Sequence, residues 1–419
     1  MIDLKLLRAS PAQVRAALAR RGDASLTRLL DEIEALDMKR RTLTAQLDQL
    51  KAERNDAARA DALVAKAQGG LPEATAVARR KLGDRITALE SELRQIETTL
   101  EAKALFVPNP PLPEVPEEST ILRSWGTPAA KGGKSHWEIA ERLGILDLPR
   151  GAKLSGSGFP VLVGGGARLA RGLINFMLDL HTREHGYVEV EPPLLVRRDV
   201  MIGTGQLPKF EDDAYRTATD DLFLIPTAEV PVTNLHRDEI LDGTTLPMGY
   251  VAYTPCFRRE AGAAGKDTRG LLRVHQFDKV ELVRFCRAAD SPAQHETLTR
   301  HAETILQKLE LPYRVVVLPA NDLGFAGAKT YDLEAWAPGV AQWLEVSSST
   351  TFTDYQARRA NIRCRPRPGE KPEFVHTLNA SGVALPRTIA ALLETHQQAD
   401  GAVTIPPALV PYVGTDRLA

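Results

Sequence analysis

One short stretch of the chain combines the residue types that bind phosphate. It covers residues 256–277 and reads CFRREAGAAGKDTRGLLRVHQF. Glu260 and Asp267 are its acidic residues, whereas its cations are Arg258, Arg259, Lys266, Arg269 and Arg273. Gly262, Gly265 and Gly270 interrupt it, and glycine allows a backbone to approach a ligand closely. The composition therefore indicates a phosphate-binding loop, although no GxxxxGK[ST] pattern occurs in the chain.

Two predicted strands flank this stretch. The first covers residues 250–258 and the second covers residues 271–285, with the glycine-rich part as the turn between them. Alternate side chains of a strand share a face, so the second strand places five groups on one side: Arg273, His275, Phe277, Lys279 and Glu281. An arginine, an aromatic ring and a carboxylate on one surface could hold a triphosphate, a purine and an amino group. A solvated, charged hairpin fits the same spacing, so both interpretations remain open.

The composition limits the class of protein. A chain of 419 residues, 43% hydrophobic and 26% charged, predicts two or three globular domains. Because the net charge is −1, any contact with nucleic acid must depend on local basic patches. Cys256, Cys286 and Cys364 form no CxxC pair, which argues against a zinc ribbon and a disulfide framework. Without a signal-peptide pattern or an apolar run of about 20 residues, the sequence predicts a cytoplasmic protein with no membrane span.

Heptad repeats dominate the N-terminal part of the chain. The first seam consists of Leu29, Ile33, Leu36, Arg40, Leu43, Leu47, Leu50, Arg54 and Ala57. After the break AQGGLPE at 67–73, the second seam consists of Leu82, Ile86, Leu89, Leu93, Ile96 and Leu100. Neither seam can be stable without a partner. The Gly-Gly-Leu-Pro break favours an antiparallel helical hairpin over a parallel dimerisation zipper.

The half of this hairpin nearest the break is basic. Its cations are Arg54, Arg59, Lys66, Arg79, Arg80, Lys81 and Arg85. A basic rod can follow a phosphate backbone, and a structural spacer is an equally good interpretation. The proline-rich, acidic segment FVPNPPLPEVPEEST cannot continue a helix. We therefore predict an N-terminal domain over 1–105 with a coiled-coil arm over about 27–103, a linker over 106–120 and a second domain over 121–419.

The second domain has an α+β pattern. Amphipathic helices are predicted over 136–146 and 164–186. The strand candidates are YVEVEPPLLV, YVAYTPCF, FDKVELVRF, YRVVVLP and QWLEVSSSTTF. They do not alternate with helices as βαβ units do, so we predict a mainly antiparallel sheet flanked by helices. The GGG at 164–166 lacks GxGxxG spacing and gives little support to a dinucleotide site.

Several segments resemble, in order, the motifs of class II aminoacyl-tRNA synthetases in the form found in the seryl-tRNA synthetase family. PPLLV at 192–196 is similar to motif 1, FRREAGAAGKDTRGLLRVHQFDKVE to motif 2, and HTLNASGVALPRTIAALLE at 376–394 to motif 3. GTGQLPKF and IPTAEVPVTN resemble the loops of the family's serine site. TYDLEAWAPG and LEVSSSTTFTDYQARR resemble its metal- and ATP-binding strand region, and the helical hairpin resembles its tRNA-binding arm. The resemblance covers nearly the whole chain.

This resemblance implies a fold and a reaction. The fold would be a six- to seven-stranded antiparallel sheet flanked by helices, in a homodimer formed through motif 1. Serine and ATP would give seryl-adenylate and pyrophosphate, and the seryl group would pass to the terminal ribose of tRNA(Ser). Whether tRNA(Sec) is a further substrate stays open. Because the serine carboxylate is the nucleophile, positioning and charge stabilisation suffice and no catalytic base is needed.

The matching positions imply an ATP site with Mg²⁺. Arg258 would hold the α-phosphate and the serine carboxylate, while Arg273 and Arg387 would hold the β- and γ-phosphates. Arg258 and Arg387 would thus be the catalytic residues. Glu345 and Ser348 would bind Mg²⁺, which prefers oxygen ligands. The remaining contacts to ATP would come from Arg259, Glu260, Val274, Phe277, Val346 and Ser347, and the aromatic ring among them would stack on adenine.

The matching positions also imply a serine pocket. Its residues would be Thr227, Ala228, Glu229, Arg258, Glu281, Asn379 and Ser381. Glu281 would meet the α-ammonium or the hydroxyl, and a site that hydrogen-bonds the hydroxyl can reject alanine. The chain departs from residues that are frequent in the family at Ala228, Thr351, Ala380 and Pro386. Thr351 replaces an asparagine near the metal position, and Pro386 could begin a helix.

Three functions can be compared on these grounds. The first is a ligase that charges tRNA with serine, the second is an adenylating ligase that loads a carrier protein, and the third is a non-catalytic interaction protein. A carrier would not require the long basic hairpin. The retained charged residues of the three motifs argue against a non-catalytic protein. The sequence therefore predicts a ligase that charges tRNA with serine.

Overall fold

The computed structural model describes residues 1–68, 70, 72–261 and 269–419. Two predicted features lie partly outside the described residues: Gly69 and Leu71 belong to the helical break, and Gly262, Gly265, Lys266 and Asp267 belong to the basic stretch. The chain forms two compact units, residues 2–107 and residues 108–419, and Met1 is grouped with the second unit.

The first unit is helical. Its helices are α1 (Leu4–Ala9), α2 (Pro11–Ala19), α3 (Ser25–Gln68) and α4 (Glu73–Ala104). The ion pairs between the long helices include Glu32 to Lys103 at 2.7 Å, Lys39 to Glu92 at 2.8 Å, Lys51 to Glu90 at 2.8 Å and Asp61 to Arg79 at 2.6 Å. Because the numbers fall along α4 as they rise along α3, the two helices are antiparallel, and the predicted hairpin is confirmed. With 44 residues, α3 is about 66 Å long at a rise of about 1.5 Å per residue.

The hydrophobic seam matches the prediction in the middle of the hairpin and differs at the start of α3. The residues that pack together between the helices are Leu47, Leu50 and Ile86. Arg54 is exposed, and near the start of α3 the buried residues are Leu26 and Leu30 rather than Leu29. Helix α2, which the heptad pattern did not predict, packs against this part of α3 and accounts for the change of register.

The second unit contains the sheet. Its strands are β1 (Thr120–Trp125), β2 (Leu146–Asp147), β3 (Val161–Leu162), β4 (Val188–Glu189), β5 (Leu195–Arg197), β6 (Leu222–Leu224), β7 (Ile240–Asp242), β8 (Met248–Phe257), β9 (Gln276–Cys286), β10 (Tyr313–Val317), β11 (Lys329–Ala337), β12 (Gln342–Thr351), β13 (Arg363–Arg365), β14 (Glu373–Phe374), β15 (His376–Ala384), β16 (Val403–Thr404) and β17 (Arg417–Leu418). Its helices are α5 (His136–Arg142), α6 (Leu148–Ser155), α7 (Gly165–Arg183), α8 (Arg198–Thr204), α9 (Glu229–Thr233), α10 (Ser291–Lys308), α11 (Tyr355–Ala360), α12 (Leu385–Thr395) and α13 (Val410–Val413). Across the described ranges, no helix is both long and apolar enough to cross a membrane.

The main sheet confirms the predicted α+β class. Within the described residues it has eight strands, in the order β1-β10-β11-β12-β15-β9-β8-β4. All neighbours are antiparallel except β4 and β8, so the predicted six to seven antiparallel strands are corrected to eight strands with one parallel pair at an edge. The largest apolar core lies between this sheet and helices α7, α10 and α12. Helix α7 contributes Leu169, Leu173, Met177 and Leu180 at the spacing of a helical stripe.

Two predicted strands are shorter than expected. Strand β9 begins at Gln276, so residues 271–275 form an irregular connection, and Arg273 and His275 do not belong to its face. Leu271 and Val274 are buried in that connection. The predicted strand over 187–196 is divided into β4 and β5. The prolines at 192 and 193 explain the division, because proline lacks the N–H that a strand needs for its ladder.

Strand β1 forms one edge of the main sheet. Its register with β10 shifts between Ile121 and Arg123, as in a β-bulge. Ile121 and Leu122 are exposed. Arg123 forms an ion pair with Glu296 at 2.9 Å and another with Glu303.

Candidate active site

An open cavity of about 560 Å³ is lined by residues of β9, β11, β12, β15 and the first turn of α12. It brings together most of the residues that the sequence predicted for ATP and serine. Those residues are Thr227, Glu229, Arg258, Glu260, Arg273, Val274, Phe277, Glu345, Val346, Ser347, Ser348, Asn379, Ser381 and Arg387. They are far apart in the chain, so the order of the strands is what places them around one volume.

Three of the predicted residues are not among the described lining of the cavity. Ala228 is buried in a separate apolar cluster. Arg259 donates from Nη1 to the carbonyl of Asp212 at 3.0 Å. Glu281 is buried, and it accepts a hydrogen bond from Asn379 of the cavity wall. Of these three, only Glu281 is connected by a side-chain hydrogen bond to the cavity.

A buried polar cluster forms one end of the cavity. Asn379 donates from Nδ2 to Glu229 Oε2 at 2.9 Å and to Glu281 Oε1 at 2.8 Å. Lys279 Nζ lies 2.7 Å from Glu281 Oε2, and Ser381 Oγ donates to the same oxygen at 3.3 Å. Asn379 Oδ1 is buried and has no hydrogen-bond partner among the described residues. This end therefore offers the Asn379 amide oxygen and the Glu229 carboxylate to a ligand, with the Glu281 carboxylate buried behind Asn379.

The electrostatics of this cluster favour a cationic group. Burial raises the pKa of the Glu229 carboxyl to about 7, and the negative charge of Glu281 is the next cause. Hydrogen bonding by Gln356 and the charges of Lys279 and Arg258 lower the same pKa. A ligand ammonium between the two carboxylates would reduce their repulsion, because an opposite charge nearby favours the ionised form.

Arginines and an aromatic ring line another part of the cavity. The guanidinium carbon of Arg258 lies 5.1 Å from the centre of the Phe277 ring. Arg258 also donates from Nε to the carbonyl of Pro226 at 3.3 Å. Arg273 forms an ion pair with Glu260. Planar guanidinium groups suit phosphate oxygens, and a half-buried ring suits a base.

A β-bulge in β12 places two predicted oxygen donors in the same cavity. The register with β11 shifts between the pair Leu333–Ser347 and the pair Glu334–Glu345, which leaves Val346 as the extra residue. One extra residue changes the alternation of faces along a strand. Glu345 and Ser348, three positions apart, can therefore both line the cavity.

Asp332 lies beside these donors. It pairs with Ser348 across the two strands and lines the cavity. Its Oδ1 atom is buried and lacks a hydrogen-bond partner within the described residues. Burial, followed by the charge of Glu345, raises the pKa of the Asp332 carboxyl above its ordinary value. Arg387 donates from Nη1 to the carbonyl of Glu345 at 3.0 Å and to its Oε2 at 3.3 Å.

Comparison with known proteins identifies the family of the chain. The family model described as "Seryl-tRNA synthetase N-terminal domain" matches residues 1–111, and the one described as "tRNA synthetase class II core domain (G, H, P, S and T)" matches residues 209–396. The serine–tRNA ligase of Gemmatimonas aurantiaca is 54% identical over 428 residues, which cover 100% of both chains. The chain belongs to the seryl-tRNA synthetase family.

Two further seryl-tRNA synthetases extend this comparison. The serine–tRNA ligase of Geobacillus kaustophilus is 53% identical over 421 residues, which cover 99% of each chain. The crystal structure of seryl-tRNA synthetase from Pyrococcus horikoshii, complexed with ATP, is 39% identical and superposes with a TM-score of 0.94. That alignment covers 100% of this chain and 99% of the other. The predicted family and the class II fold are thus confirmed.

Three of the positions at which the chain departs from residues frequent in the family have well-defined surroundings in the structure. Thr351 is buried, and its Oγ1 lies 3.2 Å from Ser291 Oγ, so its hydroxyl has a partner in α10. Ala380 is fully buried in the main core. Pro386 lies in the first turn of α12, as predicted, where its missing N–H leaves no helical bond unmade.

Sequence reasoning missed three polar residues of this site. Lys279 was placed on the face of Glu281 but was given no role. Asp332 and Gln356 lie in the segments that resemble the family's metal- and ATP-binding strand region, yet nothing in their spacing indicates a contact with the site. Asp332 reaches it through its register with Ser348, and Gln356 reaches it through a hydrogen bond to Glu229. Such contacts depend on tertiary pairing, which no local pattern encodes.

Proposed function

We propose that the protein activates L-serine with ATP, forming seryl-adenylate and pyrophosphate, and then transfers the seryl group to the 3′ end of tRNA(Ser). One observation carries this proposal. A single cavity has the Glu229 carboxylate at one end, joined through Asn379 to the buried carboxylate of Glu281, and it has arginines beside an aromatic ring at a second place in its wall. The first end suits the ammonium and hydroxyl groups of serine, and the second suits a purine nucleotide with its phosphates.

The first step needs no base from the protein. A serine carboxylate oxygen forms a bond to the α-phosphorus, the bond from that phosphorus to the bridging oxygen breaks, and pyrophosphate leaves. We assign Arg258 to the serine carboxylate and the α-phosphate, because its fork can contact two oxygens and keeps its charge. Since Arg258 and Phe277 are neighbours, a base stacked on the ring would lie close to the guanidinium that holds its phosphate. In the second step, a ribose hydroxyl of the tRNA attacks the seryl carbonyl carbon and AMP leaves.

The serine contacts are assigned to the buried polar cluster. Glu229 and Glu281 would receive the ammonium and the hydroxyl, and Asn379 Oδ1 would accept a hydrogen bond from one of them. Thr227 and Ser381 line the same cavity and complete the set of polar contacts. Ala228 would contribute through its backbone. Alanine would leave these buried groups unpaired, so the pocket would reject it.

The phosphate contacts are assigned to two arginines. Arg273 and Arg387 would bind the β- and γ-phosphates, after exchanging their present partners Glu260 and Glu345. Other contacts to the nucleotide would come from the cavity residues Glu260, Val274, Val346 and Ser347. Arg259 is left out of this assignment because its guanidinium bonds the Asp212 carbonyl.

We assign Mg²⁺ to Glu345 and Ser348 and add Asp332 to them. Carboxylate and hydroxyl oxygens suit this cation, and the unpartnered Oδ1 of Asp332 offers a further donor. Among the described residues, no cluster of three or more His, Cys, Asp or Glu side chains forms a metal site. Oxygens from ATP would therefore complete the coordination. The bound cation would neutralise part of the phosphate charge.

The remaining partners follow from the same reaction. We assign tRNA binding to the arm, where all seven predicted basic residues are exposed. We also propose a homodimer formed through the segment that resembles motif 1. A cytoplasmic location fits the substrates ATP and tRNA, and it fits the three buried free cysteines.

Amino-acid-dependent exchange of pyrophosphate into ATP tests the first step. With the full set of twenty amino acids, we expect exchange with serine alone. Better exchange with threonine, alanine or glycine would contradict the assignment. Charging of tRNA(Ser), with tRNA(Sec) as a second substrate, then tests the transfer. Exchange with serine together with loading of a carrier protein, in the absence of tRNA charging, would instead support the carrier function.

A further inference from the structure

A buried glutamine supports the glutamate end of the cavity. Gln356, on α11, is fully buried and is not part of the described cavity lining. Its Nε2 donates to Glu229 Oε1 at 2.6 Å and to the carbonyl of Thr204 at 3.2 Å. Its Oε1 accepts a hydrogen bond from Thr377 Oγ1 at 2.7 Å. The amide can take only this orientation, because two acceptors face its nitrogen and the Thr377 hydroxyl is free to donate to its oxygen.

These contacts select one form of Glu229. Gln356 donates an N–H to Oε1, and Asn379 donates an N–H to Oε2. A proton on either oxygen would point at an N–H donor, so the two hydrogen bonds favour the ionised carboxylate. They also fix the plane of the carboxylate, since each oxygen is held from a different element of the fold.

Burial and the charge of Glu281 act against this form. They raise the pKa of Glu229 to about 7, whereas Gln356, Lys279 and Arg258 lower it. The charged groups that act on Glu229 are Glu281, Lys279 and Arg258, whereas α11 and β15 face it with the neutral amides of Gln356 and Asn379. Near neutral pH the charge of Glu229 is therefore sensitive to the loss of one hydrogen bond.

We propose that Gln356 is a positioning residue for serine: it holds the Glu229 carboxylate ionised and in one orientation, without touching the substrate. The inference rests on the proposed function, in which Glu229 binds serine. Thr377 extends the arrangement, because its hydroxyl fixes the orientation of the Gln356 amide. These hydrogen bonds run from Thr377 on β15 through Gln356 on α11 to Glu229 on α9. They connect residues outside the cavity to the binding of the amino-acid substrate.

The variant Gln356→Met tests the proposal, because it keeps the length of the side chain and removes the N–H donor. In pyrophosphate exchange at pH 7, we expect the KM for serine to rise about tenfold and the KM for ATP to stay within about twofold, since one hydrogen bond to a charged group is lost. As the pH falls and Glu229 becomes protonated, the KM for serine should rise. In the variant this rise should begin at a pH about one unit higher than in the wild type. Raising the pH to 9 should restore part of the affinity. Thr377→Val should shift the same profile in the same direction by a smaller amount.

Thr299→Val is the matched control. Its hydroxyl is buried and lies 2.9 Å from Ser349 Oγ, so the variant loses a buried hydrogen bond that does not involve Glu229. We expect it to lower the melting temperature and to leave the pH profile of the KM for serine unchanged.

The outcomes separate this inference from the proposed function. Equal rises in both KM values, or an unshifted pH profile with a lower melting temperature, would show that Gln356 is merely structural and would overturn the inference. An active wild type with an unaffected Gln356→Met would also overturn this inference alone. A wild type without serine-dependent exchange would overturn the proposed function and this inference with it.

Discussion

At the scale of single residues, three cations of the cavity already have charged partners in the protein. Arg273 pairs with Glu260, Arg387 pairs with Glu345, and Lys279 pairs with Glu281. A substrate that binds these groups must replace one charged partner with another. The gain comes from positioning, because each arginine is held near its place before the phosphate arrives, and little ordering remains to be done on binding.

Arg258→Ala should lower kcat/KM for pyrophosphate exchange by about 10²- to 10³-fold, because the loss of one group that stabilises transition-state charge has roughly that effect. Arg258→Lys keeps the charge but loses the fork, so it should recover only a small part of the activity. The control is tryptophan fluorescence. All four tryptophans lie in the unit 108–419, so an unchanged spectrum shows that this unit is folded. Near-normal exchange by folded Arg258→Ala would contradict the assignment.

Glu229 should make the stability of the second unit depend on pH. Its pKa is about 7 in the fold against an ordinary value of 4.5. Between these values the folded chain holds a proton that the unfolded chain has released, so the contribution of Glu229 to the unfolding free energy falls as the pH rises from about 4.5 to 7. Glu229→Gln cannot titrate. Relative to wild type, it should therefore gain up to about 3 kcal/mol of stability between pH 4.5 and pH 8.

Urea unfolding, followed by tryptophan fluorescence at several pH values, measures this difference. The pH dependence of the unfolding free energy of Glu229→Gln is more informative than its absolute value, because the new amide also changes the hydrogen bonds to Gln356 and Asn379. A gap between variant and wild type that stays constant with pH would contradict the raised pKa.

At the scale of elements, irregularities position the site as much as regular strands do. The bulge at Val346 brings Glu345 and Ser348 to one cavity. The irregular segment 271–275 places Arg273 beside Glu260. If β9 had continued through this segment, Arg273 would instead lie on a face of the strand. Period-two alternation predicts the face of a residue only while the strand is regular. For that reason the family motifs predicted that Glu345, Ser348 and Arg273 belong to the site, whereas the spacing of these residues alone did not.

Replacing residues 51–85 with a short Gly-Ser turn should spare pyrophosphate exchange and lower kcat/KM for tRNA charging by more than about tenfold, because the exposed cations of the arm would be lost. This deletion keeps Leu47, Leu50 and Ile86, and it leaves the contacts of α2 with α3 in place. The dependence of tRNA affinity on salt should also become less steep.

The matched variant keeps the helices and changes only charge. Arg80→Glu, Lys81→Glu and Arg85→Glu alter exposed residues, whereas Arg79 is spared because it pairs with Asp61. The triple variant should reproduce the loss of charging. Full tRNA charging by both the shortened protein and the triple variant would show that the arm is a structural spacer.

At the scale of the whole molecule, the sequence predicted the class of fold and the composition of the site better than its connections. Motif positions predicted fourteen of the cavity residues because the family resemblance assigns each of them individually. Helices α1 and α2 were missed, since they are short and their apolar residues fit no heptad. The roles of Lys279, Asp332 and Gln356 required the register of β11 with β12 and the packing of α11, which only the folded chain supplies.

The proposed homodimer predicts a sedimentation mass of twice the chain mass of 45.8 kDa. Near motif 1, Val188 and Leu195 are 59% and 45% exposed, so an interface formed through this segment would cover them. Leu195→Asp should produce a monomer in analytical ultracentrifugation, because an unpaired charge in an apolar interface is costly. Ile121→Asp, at a residue 54% exposed on β1, is the control and should remain a dimer. A monomeric wild type would contradict the prediction.

The bulge in β1 also bears on how the protein avoids aggregation. An edge strand with free N–H and C=O groups can accept a strand from another molecule, and apolar residues such as Ile121 and Leu122 would favour that addition. The shift of register at Ile121 and Arg123 interrupts the straight row of groups that an incoming strand requires. Arg123, held by Glu296 and Glu303, adds a charge at the same place. This edge can therefore carry exposed apolar side chains without acting as a template for sheet growth.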